Sequence, residues 1–174
     1  DPAAVALYFV CNLASQKLKV VLSGEGADEI FGGYNVYSEP DGTFYDKLPR
    51  GIKRGIGAAA GKLPAHRGVN FFIRKGKERF IGNAYMFTPE ERKKLLKIKT
   101  NAPDPTEITK PFYDKVKNKD DVTKMQYLDL HMWMTGDILL KADKMSMANS
   151  LELRVPFLDK EVMAVAEKIP RRYR

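Results

Sequence analysis

The apolar run Leu18-Lys19-Val20-Val21-Leu22 ends at Ser23-Gly24-Glu25-Gly26, and Ala27-Asp28-Glu29-Ile30-Phe31 follows before Gly32-Gly33. A short apolar run closed by glycines reads as a buried strand, here over about 18–23. The acids after the turn and the paired glycines beyond Phe31 delimit a short helix. A strand that feeds a helix through a tight turn belongs to α/β architecture. One such strand cannot satisfy its own backbone hydrogen bonds in a core. Its partners are therefore expected in sequence outside these residues or in a second copy of the chain.

Elsewhere the sequence reads as helix. Ala3 to Gln16 places Val5, Phe9, Val10 and Leu13 near helical spacing. Thr88-Pro89-Glu90-Glu91 is a capping box with proline at the first helical position, which predicts a helix through about Lys97. Asn101 to Pro105 reads as a turn. Further helices are expected over Thr106–Asn118, Val122–Thr135 and Asp137–Ala148, and from an N-cap at Asp159 to Lys168. Residues 46–82 mix lysine, arginine, glycine and proline with small apolar patches, predicting short helices joined by loops. No internal repeat is visible. The expected fold class is thus α/β, mostly helical, with one clear strand.

With 44% hydrophobic and 30% charged residues the composition excludes disordered and collagen-like chains. No apolar run approaches the roughly 18 residues of a membrane span. A single cysteine, Cys11, excludes an internal disulfide, and His66 and His131 alone cannot build a His-rich metal site, so a cytoplasmic protein without zinc is expected. Cys11 is expected to pack as a small hydrophobe, and His131, Tyr34 and Tyr37 to pack in the core. The start at Asp1-Pro2-Ala3-Ala4 lacks an initiator methionine and a leader pattern, so the chain is expected to be a piece of something longer.

The net charge of +8 is uneven: −5 over residues 1–46, +12 over 47–99 and +1 over 100–174. A basic segment from Lys47 to Lys99 could attract polyanions. Few aromatic platforms interleave with it, which favours a solvated helical face over a nucleic-acid surface.

Most of the chemistry concentrates at the glycine turn. Glycines let backbone amides approach a ligand, and the helix start beyond them carries partial positive charge, so the turn could receive a phosphate or an adenylate. Glu25, Asp28 and Glu29 supply hard oxygen ligands of the kind Mg²⁺ takes beside phosphates. The same spacing equally fits a plain glycine turn with solvated acids that stabilise the helix dipole. A Rossmann fingerprint is excluded because Glu29 stands where its third glycine belongs. Gly57 to Leu63 is not a Walker A loop, since Ile56 precedes it and Leu63 follows the lysine.

A second polar constellation runs from Asp137 through Asp143 and Ser146 to Ser150-Leu151-Glu152-Leu153-Arg154-Val155-Pro156-Phe157-Leu158-Asp159. On a helix Asp143 and Ser146 share a face, and in the extended part Glu152 and Arg154 alternate away from Leu151, Leu153 and Val155. Its methionines and leucines read as core, and Glu152 with Arg154 reads either as a structural ion pair or as part of a polar rim.

These residues carry a resemblance. Val21 to Tyr34 resembles the S-G-[DE]-G-x-D-E-x-x-x-G-Y signature of glutamine-dependent asparagine synthetases. Leu139 to Asp159 is similar to that family's L-x-x-x-D-x-x-S-M-x-x-S-x-E-x-R-x-P-F-L-D segment. The resemblance covers most of the chain and is loosest in the basic middle.

It implies that residues 1–174 are part of one ATP-dependent synthetase domain with an adenine-nucleotide α-hydrolase-like (PP-loop ATP pyrophosphatase) fold. The implied reaction uses ATP and Mg²⁺ to convert aspartate into β-aspartyl-AMP. Ammonia from a glutaminase domain of the same parent chain then displaces AMP to give asparagine. Asp28 would hold Mg²⁺ on the pyrophosphate, Ser23, Gly24, Glu25 and Gly26 would line the adenylate, and Glu25 would also lie at the acyl centre to steer or deprotonate the amine. Asp143 and Arg154 would be substrate-facing or structural. An acid at Glu25 also favours asparagine synthesis over the related β-lactam synthetases, which carry tyrosine there. The family's glutaminase domain, its S-G-G-x-D-S loop and its late lysine are missing, so the isolated piece is expected to be inactive and to self-associate, a homodimer included. The rival readings are an amidotransferase acting on another carboxylate and a basic helical module binding nucleic acid.

Overall fold

Asp1 caps the first helix, α1 (Pro2–Ser15): its carboxylate accepts from the Ala3 amide at 2.9 Å, and Pro2 brings a preset φ. The computed structural model describes residues 1–37, 48–60, 80–83, 86–87, 89–98, 100–170 and 173. Two compact units emerge: Asp1–Tyr37 with Gly82–Ala84 and Phe112–Arg174, and Ser38–Ile81 with Tyr85–Pro111.

In the first unit α1 leads to strand β1 (Val20–Leu22) and helix α2 (Ala27–Phe31), which ends on left-handed Gly32. β1 does find a partner within the chain. It pairs in parallel with β2 (Glu152–Arg154), in the register Val20↔Glu152, Val21↔Leu153 and Leu22↔Arg154. The expectation of an outside partner is therefore corrected, and the strand is shorter than the predicted 18–23. Three alternating residues beside a helix give little periodicity, so β2 read as a merely extended tail.

The expected helix over Val122–Thr135 is α6 (Asp121–His131), capped by Asp120 accepting from the Thr123 amide at 3.1 Å. A π-helical turn, Met134–Ile138, then precedes α7 (Leu139–Met147). Two plain helices were expected there; one extra residue per turn shifts the register between them. Ser150, in the left-handed region at φ 51°, turns the chain from α7 toward β2. After β2 a single 3₁₀ turn, Pro156–Leu158, leads to α8 (Lys160–Ala166), where Asp159 caps as predicted by accepting from the Glu161 amide at 2.8 Å.

Its core includes Cys11, Ile30, Tyr37, Leu128, Met134, Ile138, Ala142 and Leu151. Burial pushes the Cys11 thiol above its ordinary value, consistent with an inert packing role. Other apolar positions are not covered. Val5, Phe9, Val10 and Leu13 of α1 are exposed, because α1 packs on α7 through its opposite side, and Leu140 and Met147 are exposed as well. His131 is also exposed, contrary to the expected core position. Its ring stacks 4.0 Å from that of Tyr127, and Nδ1 donates to the Tyr127 carbonyl at 2.7 Å.

The second unit holds α3 (Arg50–Ala60), α4 (Pro89–Leu95) and the first turns of α5 (Pro105–Lys115). Asp104 accepts from the Thr106 amide at 2.8 Å and its hydroxyl at 2.6 Å, which lowers the Asp104 pKa. α4 stops short of Lys97. Thr88 of the capping box, most of the loops expected over 46–82 and the end of the Gly57–Leu63 stretch lie outside the described residues. No helix among the described residues is long and apolar enough to cross a membrane.

Candidate functional site at the ends of two parallel strands

Because β1 and β2 run parallel, the segments that follow them leave from the same end of the sheet, where α/β folds ordinarily bind ligands. The two sequence motifs therefore meet. The Ser23 amide donates to the Arg154 carbonyl at 2.8 Å, extending the ladder into the turn. Gly26 is buried in a left-handed conformation at φ 92°, with Leu158 of the second motif against it. Phe31 and Phe157 meet edge to face at 6.1 Å.

The turn is short and open. The Ser23 hydroxyl accepts from the Glu25 amide at 3.4 Å, and the Ala27 amide donates to the Gly24 carbonyl at 3.2 Å. Gly24 has open space beside its Cα, as an approaching ligand would need. Glu25 is half-buried, and burial is the main cause that pushes its carboxyl above the usual carboxylate range; Lys141 opposes this, while Glu29 and Asp28 reinforce it. Lys141 of α7 is largely shielded and pairs with Asp1 at 3.2 Å and Asp137 at 3.5 Å. Sequence reading did not single it out as a site residue; its only signal was its place inside the second motif.

Asp28 is exposed at the start of α2, with its carboxylate lying over Gly33 in the space a Cβ would take. Its carbonyl accepts from the amides of Gly32 and Gly33, each at 2.9 Å. No group of three or more His, Cys, Asp or Glu among the described residues could hold a metal ion. A cation here would need phosphate and water ligands beside Asp28, which is the usual way Mg²⁺ is bound at nucleotide sites. The residues present fit that arrangement.

Arg154 and Glu152 alternate outward as expected and form an exposed ion pair at 2.8 Å. Asp143 and Ser146 do not share an environment: Ser146 is buried and donates to the Asp143 carbonyl at 3.1 Å, whereas the Asp143 side chain is exposed on α7. Neither a hydrogen bond nor an ion pair joins the Asp143 carboxylate to the turn among the described residues.

Behind the turn lies a buried polar network. Tyr34 donates to Glu29 Oε1 at 2.7 Å, and Glu29 is 1% exposed. The shielded Trp133 indole N–H has no hydrogen-bond partner among the described residues. Tyr37 donates to Asp129, which also accepts from the Asn83 amide at 3.2 Å and the Asn83 side chain at 2.9 Å. Burial pushes Asp129 up to about 6 and both tyrosines well above their ordinary range. The two tyrosines pack against each other at 5.6 Å, as expected, but their hydrogen bonds to acids were not foreseen.

The asparagine synthase family model matches residues 1–174. Asparagine synthetase [glutamine-hydrolyzing] 1 of Bacillus subtilis is 47% identical, with the match covering 98% of this chain and 28% of that protein. A putative asparagine synthetase [glutamine-hydrolyzing] of Mycobacterium tuberculosis is 45% identical over 98% of this chain and 27% of its own length. Asparagine synthetase [glutamine-hydrolyzing] 3 of Bacillus subtilis is 28% identical over 95% of the chain and 23% of that protein. The chain thus spans a little over a quarter of the two more similar relatives. No solved structure matches it. Matched from first residue to last, this chain belongs to the asparagine synthase family.

Proposed function

We propose that residues 1–174 are part of one ATP-dependent synthetase domain with the PP-loop ATP pyrophosphatase fold, in a longer protein that also carries a glutaminase domain. Its reaction is adenylation of the aspartate side-chain carboxylate to β-aspartyl-AMP, followed by attack of glutamine-derived ammonia to give asparagine, AMP and pyrophosphate. The observation that carries this reading is the junction of the two motifs, where Ser23 joins Arg154 and Gly26 lies against Leu158. That junction sets an open turn, a raised carboxyl and an exposed carboxylate at one strand end.

Each residue then has a part. Ser23, Gly24 and Glu25 line the adenylate, with the open space at Gly24 letting backbone approach phosphate oxygens, while Gly26, buried against Leu158, holds the turn in shape beneath them. Asp28 would hold Mg²⁺, which supplies neutralising charge for pyrophosphate. Glu25, with its carboxyl raised by burial, is suited to receive a proton from the attacking amine. Lys141 keeps a cation near Glu25 and limits that rise. Arg154, paired with Glu152, holds the shape of the rim.

Aspartate-dependent ATP–pyrophosphate exchange by the full-length protein tests this reading. Exchange that needs aspartate and is lost in Asp28→Ala supports it. Exchange with a different carboxylic acid alone moves the acyl substrate, and silence with every acid overturns adenylation.

A further inference from the structure

Gln126 of α6 is 5% exposed and stands outside both motifs. Its side-chain amide donates twice, to the carbonyl of Glu29 at 2.8 Å and to that of Ile30 at 3.0 Å. These carbonyls belong to the end of α2, where helix geometry leaves carbonyls without partners in their own helix. The next one back, on Asp28, is already taken by Gly32 and Gly33. A helix of five residues has almost no stability of its own, so what grips it decides where it lies. Gln126 grips its carbonyls, and Tyr34 grips the buried Glu29 side chain. The residue type is specific. Two adjacent acceptors in a buried place call for a neutral group with two donors; glutamate offers none when ionised, and lysine or arginine would bury a charge.

We infer that Gln126 is a positioning residue for Asp28: by holding the carbonyls of Glu29 and Ile30 it sets the Asp28 carboxylate against the metal-bound nucleotide. This rests on the adenylation reading above. It differs from a general packing role because its effect must pass through one side chain.

Calorimetric titration of the full-length protein with ATP, with and without Mg²⁺, tests it in four forms: wild type, Gln126→Met, Asp28→Ala and the double variant. Gln126→Met should weaken Mg²⁺-dependent binding about tenfold, as loss of an outer-shell partner commonly does. It should leave binding without Mg²⁺ unchanged. In the Asp28→Ala background the same substitution should have no further effect, because interacting residues are not additive. A tenfold loss that persists without Asp28, or no loss at all, overturns the inference while leaving the adenylation reading standing. A wild-type protein that binds ATP with no Mg²⁺ dependence overturns both. If Gln126→Met does not fold, Gln126→Asn keeps a neutral amide but draws its two donors one methylene back from the carbonyls, and takes its place in the cycle.

Discussion

The side chain of Leu158 fills the space beside Gly26 that any Cβ there would need, with its Cγ 2.7 Å from the ideal Cβ position. Gly26 also holds φ at 92°, where other residues are strained. Gly26→Ala should therefore destabilise the protein by about 1–3 kcal/mol, part from φ and part from overpacking. Leu158→Ala in the same chain should relieve only the second part. Urea unfolding of the single and double variants measures both, and full additivity of their costs would contradict the contact.

Gly33 and Gly24 make a contrasting pair. The Asp28 Cγ stands 3.0 Å from where a Gly33 Cβ would be, and nothing lies within 4 Å of one at Gly24. Gly33→Ala should push the Asp28 carboxylate aside and also press on the Asp28 Cα, 3.2 Å from the new methyl, so it should lower stability by about 1–3 kcal/mol, because backbone cannot swing away as a side chain can. Gly24→Ala should leave stability within about 0.5 kcal/mol of wild type, yet weaken nucleotide binding where the new methyl blocks approach. Melting temperatures set beside ATP affinities separate the two, and a large drop in melting temperature for Gly24→Ala would refute the open space.

The parts of this fold written locally were legible in the sequence. Asp159 caps its helix with a bond two residues away, and the glycines bounding α2 act through their own φ values. Parts that depend on distant partners were not. β2 becomes a strand by pairing with β1, and no periodicity in three residues announces that. Tyr37 reaches Asp129 across 92 positions, and Gln126 reaches Glu29 across 97, so each looked like an ordinary packed or helical residue. The candidate site divides the same way. Ser23 to Asp28 stood out through glycine spacing and acids, whereas Lys141 comes to act on the Glu25 carboxyl only through the fold, 116 positions along the chain.

Asp129 should give the protein a measurable acid-side dependence of stability. Its carboxyl is pushed up to about 6 mainly by burial, with Glu29 adding repulsion and with Tyr37 and Asn83 opposing. In the unfolded chain an aspartate titrates near about 3.9. A raised folded value favours the protonated native state, so this contribution is full below about pH 4 and is lost as pH rises through about 6. It amounts to up to about 3 kcal/mol. Asp129→Asn should flatten that part of the curve. Denaturant unfolding across about pH 4 to 7 compares them, and parallel curves for variant and wild type would sink the assignment.

Glu25 and Lys141 make opposed contributions that a pH profile can separate. Burial raises the Glu25 carboxyl and the Lys141 charge lowers it. If Glu25 takes the proton from the attacking amine, amide formation requires its ionised form and rises with pH through its pKa. Lys141→Met removes the opposing charge, so the rising limb should move to higher pH, while the rate above the limb changes less. Glu25→Gln should lower amide formation by about 10²–10⁴-fold, the usual worth of a positioned base, and should leave aspartate-dependent ATP–pyrophosphate exchange in place. Lys141 also pairs with Asp1 and Asp137, so melting temperatures of Lys141→Met must accompany the profile. A limb that moves to lower pH, or an exchange rate that falls together with amide formation in Glu25→Gln, would take Glu25 out of the second step and assign it to nucleotide binding instead.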